Sequence, residues 1–329
     1  MVRRLERQCQ GQLHDHDQGR ARLALSNPES KTFGRNVKKG QILNIEIGFD
    51  ISLAVSAPNA LVFMLNVNAD RQQDVLFGDQ ISVEPGLNLT SYFDAFGNHC
   101  GRMPVPLGIS QVRLRNTGVV ADSGLPDEVN WSAIQHEPQD LPPHTLQFLL
   151  PSRYCEVDSS LLNFAWAQFG NTPLGWGRVQ AICDFVHQHL RFDYAAARAN
   201  RSALEGFNER VGVCRDFAHL AVTLCRCMNI PARYTTGYLG DIGVPENRSP
   251  MDFSAWFEVY LGGRWYTFDA RHNTPRIGRI VIGRGRDAGD VPITMTFGQH
   301  SLSNFEVVTK QIWLDSDARA QQLISGGAA

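Results

Sequence analysis

The chain has 329 residues, 43% hydrophobic and 19% charged, with a formal net charge of −2. That length supports two cored units, and near-neutral charge gives no electrostatic basis for binding nucleic acid or an anionic membrane. No apolar run approaches the roughly 20 residues of a membrane helix, and the arginine-bearing N-terminus lacks the apolar segment of a secretory signal, so a cytoplasmic protein is expected.

Residues 1–36 are polar and irregular and offer little to bury, so they are expected to form a disordered tail. His14-Asp15-His16-Asp17 within them reads as solvated rather than as a metal clip. From 37 to 118 the chain breaks into short alternating segments. Leu43, Ile45, Ile47 and Phe49 alternate with Asn44, Glu46 and Gly48, and Leu61–Val67, Leu87–Asp94 and Val112–Gly118 behave alike. Asp94-Ala-Phe-Gly97-Asn98 is a turn between strands. Many short strands without a helical period imply an antiparallel β-sandwich. Residues 119–147, rich in Pro, Asp, Glu and Ser, read as a linker or a loop packed on both units.

Helices follow. Asp158-Ser159 can cap one that carries Leu161, Leu162, Phe164, Ala165 and Phe169. A second runs through Val179, Ile182, Phe185 and Val186 as one apolar stripe. Phe192-Asp193-Tyr194 reads as an extended lead-in. Gly212 then supplies a turn, and Cys214 opens a helix with apolar residues at Phe217, Leu220, Ala221, Leu224, Cys225 and Met228, the spacing of one buried face. Asn229 and Pro231 end it. Cys214 thus lies at the positive end of a helix dipole beside Arg215, where a thiol is expected to ionise readily and act as a nucleophile. His219 falls about 140° around that helix from Cys214 and points elsewhere. The seven cysteines (9, 100, 155, 183, 214, 225, 227) form no C-x-x-C pair or zinc-like spacing, so reduced thiols and no metal or cofactor are expected. Cys225 and Cys227, two apart, are expected as one core and one semi-exposed residue.

Arg233–Leu239 reads as a strand, and residues 240–251 as a loop placed to act as a lid. Asp252–Leu261, a Gly262-Gly263 loop and Arg264–Ala270 then read as a hairpin. Pairing Leu261 with Arg264 sets Trp256 opposite Asp269 and Ser254 opposite Arg271, which makes 254 and 269 diagonal neighbours on one face. Ser303–Lys310 alternates as a last strand, and the residues to 329 read as a frayed tail.

Gly212-Val-Cys-Arg-Asp-Phe-Ala-His-Leu220, Ile230-Pro-Ala-Arg-Tyr234, Ala255-Trp-Phe-Glu-Val-Tyr260 and Trp265-Tyr-Thr-Phe-Asp269 together resemble the bacterial transglutaminase-like superfamily of papain-like cysteine enzymes. Phe148–Tyr154 and the helix through Val186-His187 resemble the lead-in to that domain. Asp94–Asn98 resembles the family's N-terminal β domain. The resemblance covers roughly residues 40 to 315. It implies an α+β chain: an antiparallel β-sandwich over 37–118, then a transglutaminase-like (papain-like) domain over 148–315, its nucleophile helix packed on an antiparallel sheet, with 316–329 as a tail. It also implies Cys214 as nucleophile, Asp269 as orienting acid and Tyr194 as a candidate oxyanion aid. The family's histidine position, directly before Ala-Trp, is occupied by Ser254. His272 is the candidate substitute base, although its parity in the hairpin register is wrong. Two functions follow: a cysteine hydrolase or acyltransferase acting on peptide or isopeptide amides of a protein substrate, impaired by the missing imidazole, or a non-catalytic binding or regulatory module.

Overall fold

The computed structural model describes residues 42–247 and 250–313. The expected tails at 1–36 and 316–329 lie outside the described residues. In chain order the first strands are β1 (Leu43–Val55), β2 (Asn59–Phe63), β3 (Val75–Gly78), β4 (Ser82–Glu84), β5 (Thr90–Phe93), β6 (His99–Val105) and β7 (Gln111–Asp122). Helices α1 (Pro143–Leu146), α2 (Leu161–Phe169) and α3 (Trp176–His189), strand β8 (Arg191–Phe192), helix α4 (Ala203–Glu209), strand β9 (Val211–Gly212) and helix α5 (Cys214–Cys227) follow. The chain closes with β10 (Ala232–Tyr238), β11 (Ser254–Leu261), β12 (Arg264–Phe268), β13 (Ile280–Gly285), β14 (Thr294–Thr296) and β15 (His300–Ile312).

The N-terminal half is an antiparallel sandwich. One sheet runs β15-β1-β7-β3, with β4 also on β7, and the other runs β14-β2-β6-β5. Leu43, Ile45, Ile47, Phe49, Ile51, Leu53 and Val55 are all buried along β1, as an alternating strand with one core face requires. They meet Leu61 and Phe63 of β2 and Met103 and Val105 of β6 in one core. The last strand goes elsewhere than a division at residue 148 suggests. β15 pairs along the whole of β1, from Asn44↔Ile312 to Val55↔His300, so the C-terminal strand completes the N-terminal sheet. The same core takes in Ala218 of α5, Tyr234 and Tyr238 of β10, and Ile280 and Ile282 of β13.

The second half packs α5 on the antiparallel sheet β12-β11-β10-β13. The helix is not half-buried, as its apolar spacing predicts: every residue from Asp216 to Cys227 is buried. The layers of α2, α3 and α4 cover the face turned away from the sheet, and Leu220, Leu224 and Cys225 lie in a second core with Phe169, Val179 and Ile182. Cys225 and Cys227 are therefore both core residues, which corrects the expectation that one would be semi-exposed. Several polar side chains on this helix bond to backbone carbonyls. Arg226 donates to the carbonyls of Ala232, Leu150 and Arg286, and Thr223 Oγ1 donates to the His219 carbonyl at 2.8 Å.

The segment from 123 to 147 is a fitted strap rather than a loose linker. Asn130 Nδ2 donates to the Tyr266 hydroxyl at 2.8 Å, the Trp176 N–H to the Ala133 carbonyl at 3.0 Å, and Gln135 Nε2 to the Met228 carbonyl at 2.9 Å. Among the described residues no helix is long and apolar enough to cross a membrane.

Candidate active site

Cys214 is the first residue of α5. Its approach is held by a short parallel pairing in which Arg191 and Phe192 of β8 lie beside Val211 and Gly212 of β9. Gly212 therefore sits in a strand, not in the turn the sequence suggests. Its missing side chain still matters, because a Cβ there would lie 2.6 Å from the Cβ of Asp216. That space lets Asp216 fold back over the helix start. Its Oδ2 accepts the Val213 N–H at 2.9 Å and Arg201 Nη1 at 2.9 Å. An acid in the first turn satisfies an otherwise orphaned N–H.

The thiol packs against the core that holds Ala255 at the start of β11. Ser254 directly precedes Ala255 and is buried, with its carbonyl accepting Thr236 Oγ1 at 2.9 Å. Burial pushes the Cys214 thiol up to about 11, Arg271 pulls the other way, and Asp252 and Asp216 add to the rise. The expected low value is therefore corrected: desolvation of the thiolate outweighs its nearest positive charge. The groups acting most strongly on the sulfur include no histidine.

Asp269 ends the hairpin. The ladder stops at Phe257↔Phe268, so Trp256/Asp269 and Ser254/Arg271 lie past the last paired rung. Asp269 instead opens a turn in which its Oδ1 accepts the Arg271 and His272 N–H groups, each at 3.0 Å. That turn swings His272 back, and its Nδ1 meets Asp269 Oδ2 at 2.8 Å. Strand parity, which argues against His272, no longer applies there. Arg279 Nη2 reaches the same oxygen at 2.9 Å, while Arg279 Nε bonds Asp127 Oδ2 of the strap at 2.9 Å. Burial pushes the Asp269 carboxyl up, but Arg279 and His272 outweigh it and hold it well below the usual range. The Arg279 guanidinium also lies 4.8 Å from the centre of the Trp256 ring. The carboxylate thus has Arg279 and His272 as side-chain partners.

Tyr194 stands in a single 3-10 turn capped by Asp193, whose Oδ1 accepts the Ala195 N–H at 2.9 Å, rather than in an extended piece. The ring is 40% exposed. Burial together with Asp252 and Cys214 pushes its hydroxyl up to about 12, against the opposing pull of Arg271. The Arg271 guanidinium stacks 3.8 Å from the centre of the Phe192 ring. Burial pushes the Asp252 carboxyl up to about 6. His219 lies elsewhere: it is fully buried, stacked 5.2 Å from Tyr154, and its Nε2 accepts the Ala288 N–H at 3.1 Å. The sequence reading singled out Cys214, Ser254, Asp269, His272 and Tyr194, but it missed Asp252, Arg271, Arg279 and Asp127 as members of this neighbourhood. The proposed lid includes residues 248–249, which lie outside the described residues. No group of three His, Cys, Asp or Glu side chains suited to a metal ion occurs among the described residues.

The description of the transglutaminase-like superfamily matches residues 164–270, from α2 through the acid at the hairpin end. These residues form a transglutaminase-like core. The chain is also similar to an uncharacterised protein of Mycobacterium leprae, 32% identical over 140 residues, 40% of this chain and 48% of that one. An uncharacterised protein of Mycobacterium tuberculosis is 34% identical over 160 residues, 44% of this chain and 49% of that one. The chain spans about half the length of these curated relatives. Among solved structures, a candidate cysteine protease from Cytophaga hutchinsonii superposes with a TM-score of 0.71 at 29% identity, covering 84% of this chain and 92% of that one. That breadth takes the likeness past the transglutaminase-like core into the sandwich.

Proposed function

We propose that the transglutaminase-like core is a cysteine acyl-transfer site that acts on peptide or isopeptide acyl groups of a protein substrate through a Cys214 thioester. Its turnover of amides is slow because Ser254 stands where an imidazole is needed. The observation that carries this reading is Cys214, at the start of α5, packed against the core that holds Ala255 at the start of β11, the stretch where the base would stand. Cys214 attacks the acyl carbon, and donors at the start of α5 face the developing oxyanion. Serine near neutral pH neither accepts the thiol proton nor supplies one to a leaving amine. Leaving groups that depart without a proton, such as those of activated esters, therefore suit this site better than amides. Asp269 is the orienting acid of this arrangement, and His272 occupies it.

A covalent adduct tests the reading. Incubation with a p-nitrophenyl ester should add one acyl group to the intact protein, mapped by peptide mass spectrometry to Cys214, and Cys214→Ala should abolish it. Acylation that persists in Cys214→Ala, or no acylation of the folded wild type, would favour the second reading: a binding module that keeps the fold without turnover. The high position of the Cys214 thiol is the specific observation on that side.

A further inference from the structure

Ser254 leaves the Cys214 site without a proton carrier of its own. A carboxyl stands close by. Asp252 precedes Ser254 by two residues, the spacing at which side chains of an extended segment share a face. Its neighbours Met251 and Phe253 and the Cys214 thiol all pack on the one core that also holds Tyr234 and Ala255. The Asp252 charge acts on both Cys214 and Tyr194. Arg271 acts on all three. Arg271 is itself fixed by stacking 3.8 Å from the Phe192 ring centre and by its backbone N–H, which Asp269 Oδ1 accepts at 3.0 Å. Four groups from four segments thus converge: the turn at Tyr194, the start of α5, the lead-in to β11 and the turn after β12. The other acid acting on the thiol, Asp216, is committed to Arg201 and the Val213 N–H. Burial is the chief cause that brings Asp252 to about 6, which populates both its forms near neutral pH, as a proton carrier requires.

We propose that Asp252 is the proton carrier of the Cys214 site, in place of the imidazole that position 254 lacks. The assignment rests on the acyl-transfer reading of Cys214. The Asp252 carboxylate takes the thiol proton as sulfur bonds to the acyl carbon, and the carbonyl oxygen becomes an oxyanion. Collapse of that intermediate breaks the bond to the leaving ester oxygen, which departs with the proton from the Asp252 acid. Water then adds to the thioester and gives a proton to Asp252. The carbon–sulfur bond breaks, and the sulfur recovers that proton as the Cys214 thiol.

The test compares two reactions of Cys214 in wild type, Asp252→Asn, Asp252→Glu and Cys214→Ala: turnover of p-nitrophenyl acetate and alkylation by iodoacetamide at pH 8. Removing the Asp252 charge lowers the thiol pKa, so Asp252→Asn should be alkylated faster. The same variant should lose about 100-fold in Cys214-dependent ester turnover, along with the acid limb of its pH profile near 6. Asp252→Glu should recover part of the turnover with a shifted limb. A purely electrostatic role moves alkylation and turnover in the same direction, and that result in folded Asp252→Asn overturns the assignment. If Asp252→Asn does not fold, an unmoved acid limb in folded Asp252→Glu overturns it equally. Ester turnover that depends on Cys214 but ignores Asp252 sinks the Asp252 assignment alone. Turnover unchanged in Cys214→Ala sinks the acyl-transfer reading and the Asp252 assignment together.

Discussion

At the scale of single residues, Asp269, the acid of the proposed site, is also a structural residue. Its carboxylate is buried between Arg279 and His272, and Arg279 continues to Asp127 of the strap. Removing one member of a buried ionic group leaves the others without compensation. Asp269→Asn should therefore cost about 3 kcal/mol of stability at pH 7. The folded carboxyl sits below its unfolded value, so the stabilising contribution is complete above about pH 4 and is lost as pH falls toward the folded value. Denaturant melts of wild type and variant should differ most at pH 7, and the gap should narrow at pH 3 as the loss begins. A gap of the same size at both pH values would show that the ion pairs with Asp269 do not stabilise the fold. This residue was legible in the sequence as the acid that closes the hairpin. Its partners were not, because Arg279 comes ten residues later and Asp127 lies far upstream, and no local spacing links them.

At the scale of elements, α5 explains both what the sequence reveals and what it hides. Its limits and its cysteine were legible from apolar spacing, Gly212, Asn229 and Pro231. Its burial from Asp216 to Cys227 was not, since Asp216, His219, Thr223 and Arg226 carry polar groups that a periodic reading assigns to solvent. Arg226, Asp216 and His219 bond to groups outside the helix, and Thr223 bonds to the His219 carbonyl within it. Arg226 is the clearest case, reaching carbonyls before α2, at β10 and after β13. Arg226→Met keeps the length of the side chain but strips these carbonyls of their donor, at about 1–3 kcal/mol for each group left unmet. A total loss of about 3 kcal/mol or more by denaturant titration is expected on that basis. A loss below about 1 kcal/mol would mean that the carbonyls find other donors. The hairpin was legible more fully: Gly262 and Gly263 both take positive φ, and Leu261 pairs with Arg264 as the two-residue loop requires. The register could not reveal where the ladder stops, so the turn that returns His272 to Asp269 escaped it.

At the scale of the whole molecule, the sandwich and the helical half share buried residues. β15 returns to β1, and α5, β10 and β13 contribute to the sandwich core. Alternation made the sandwich legible, but the partner of β15 depends on long-range pairing that a single sequence does not specify. This frame presents Cys214, Ser254 and Asp269 from three elements of the transglutaminase-like core, with the strap holding Arg279 behind the acid. The central claim is that the frame is complete and lacks only an imidazole at position 254. The most direct measurement is peptide-amide hydrolysis by wild type, Ser254→His, and Ser254→His combined with Cys214→Ala, on a broad peptide set. Wild type should stay near background. Ser254→His should gain about 100-fold or more, the range a positioned general acid–base supplies, and the gain should vanish with Cys214→Ala. A folded Ser254→His protein with no Cys214-dependent gain, or a wild type that already cleaves amides efficiently, would contradict the account.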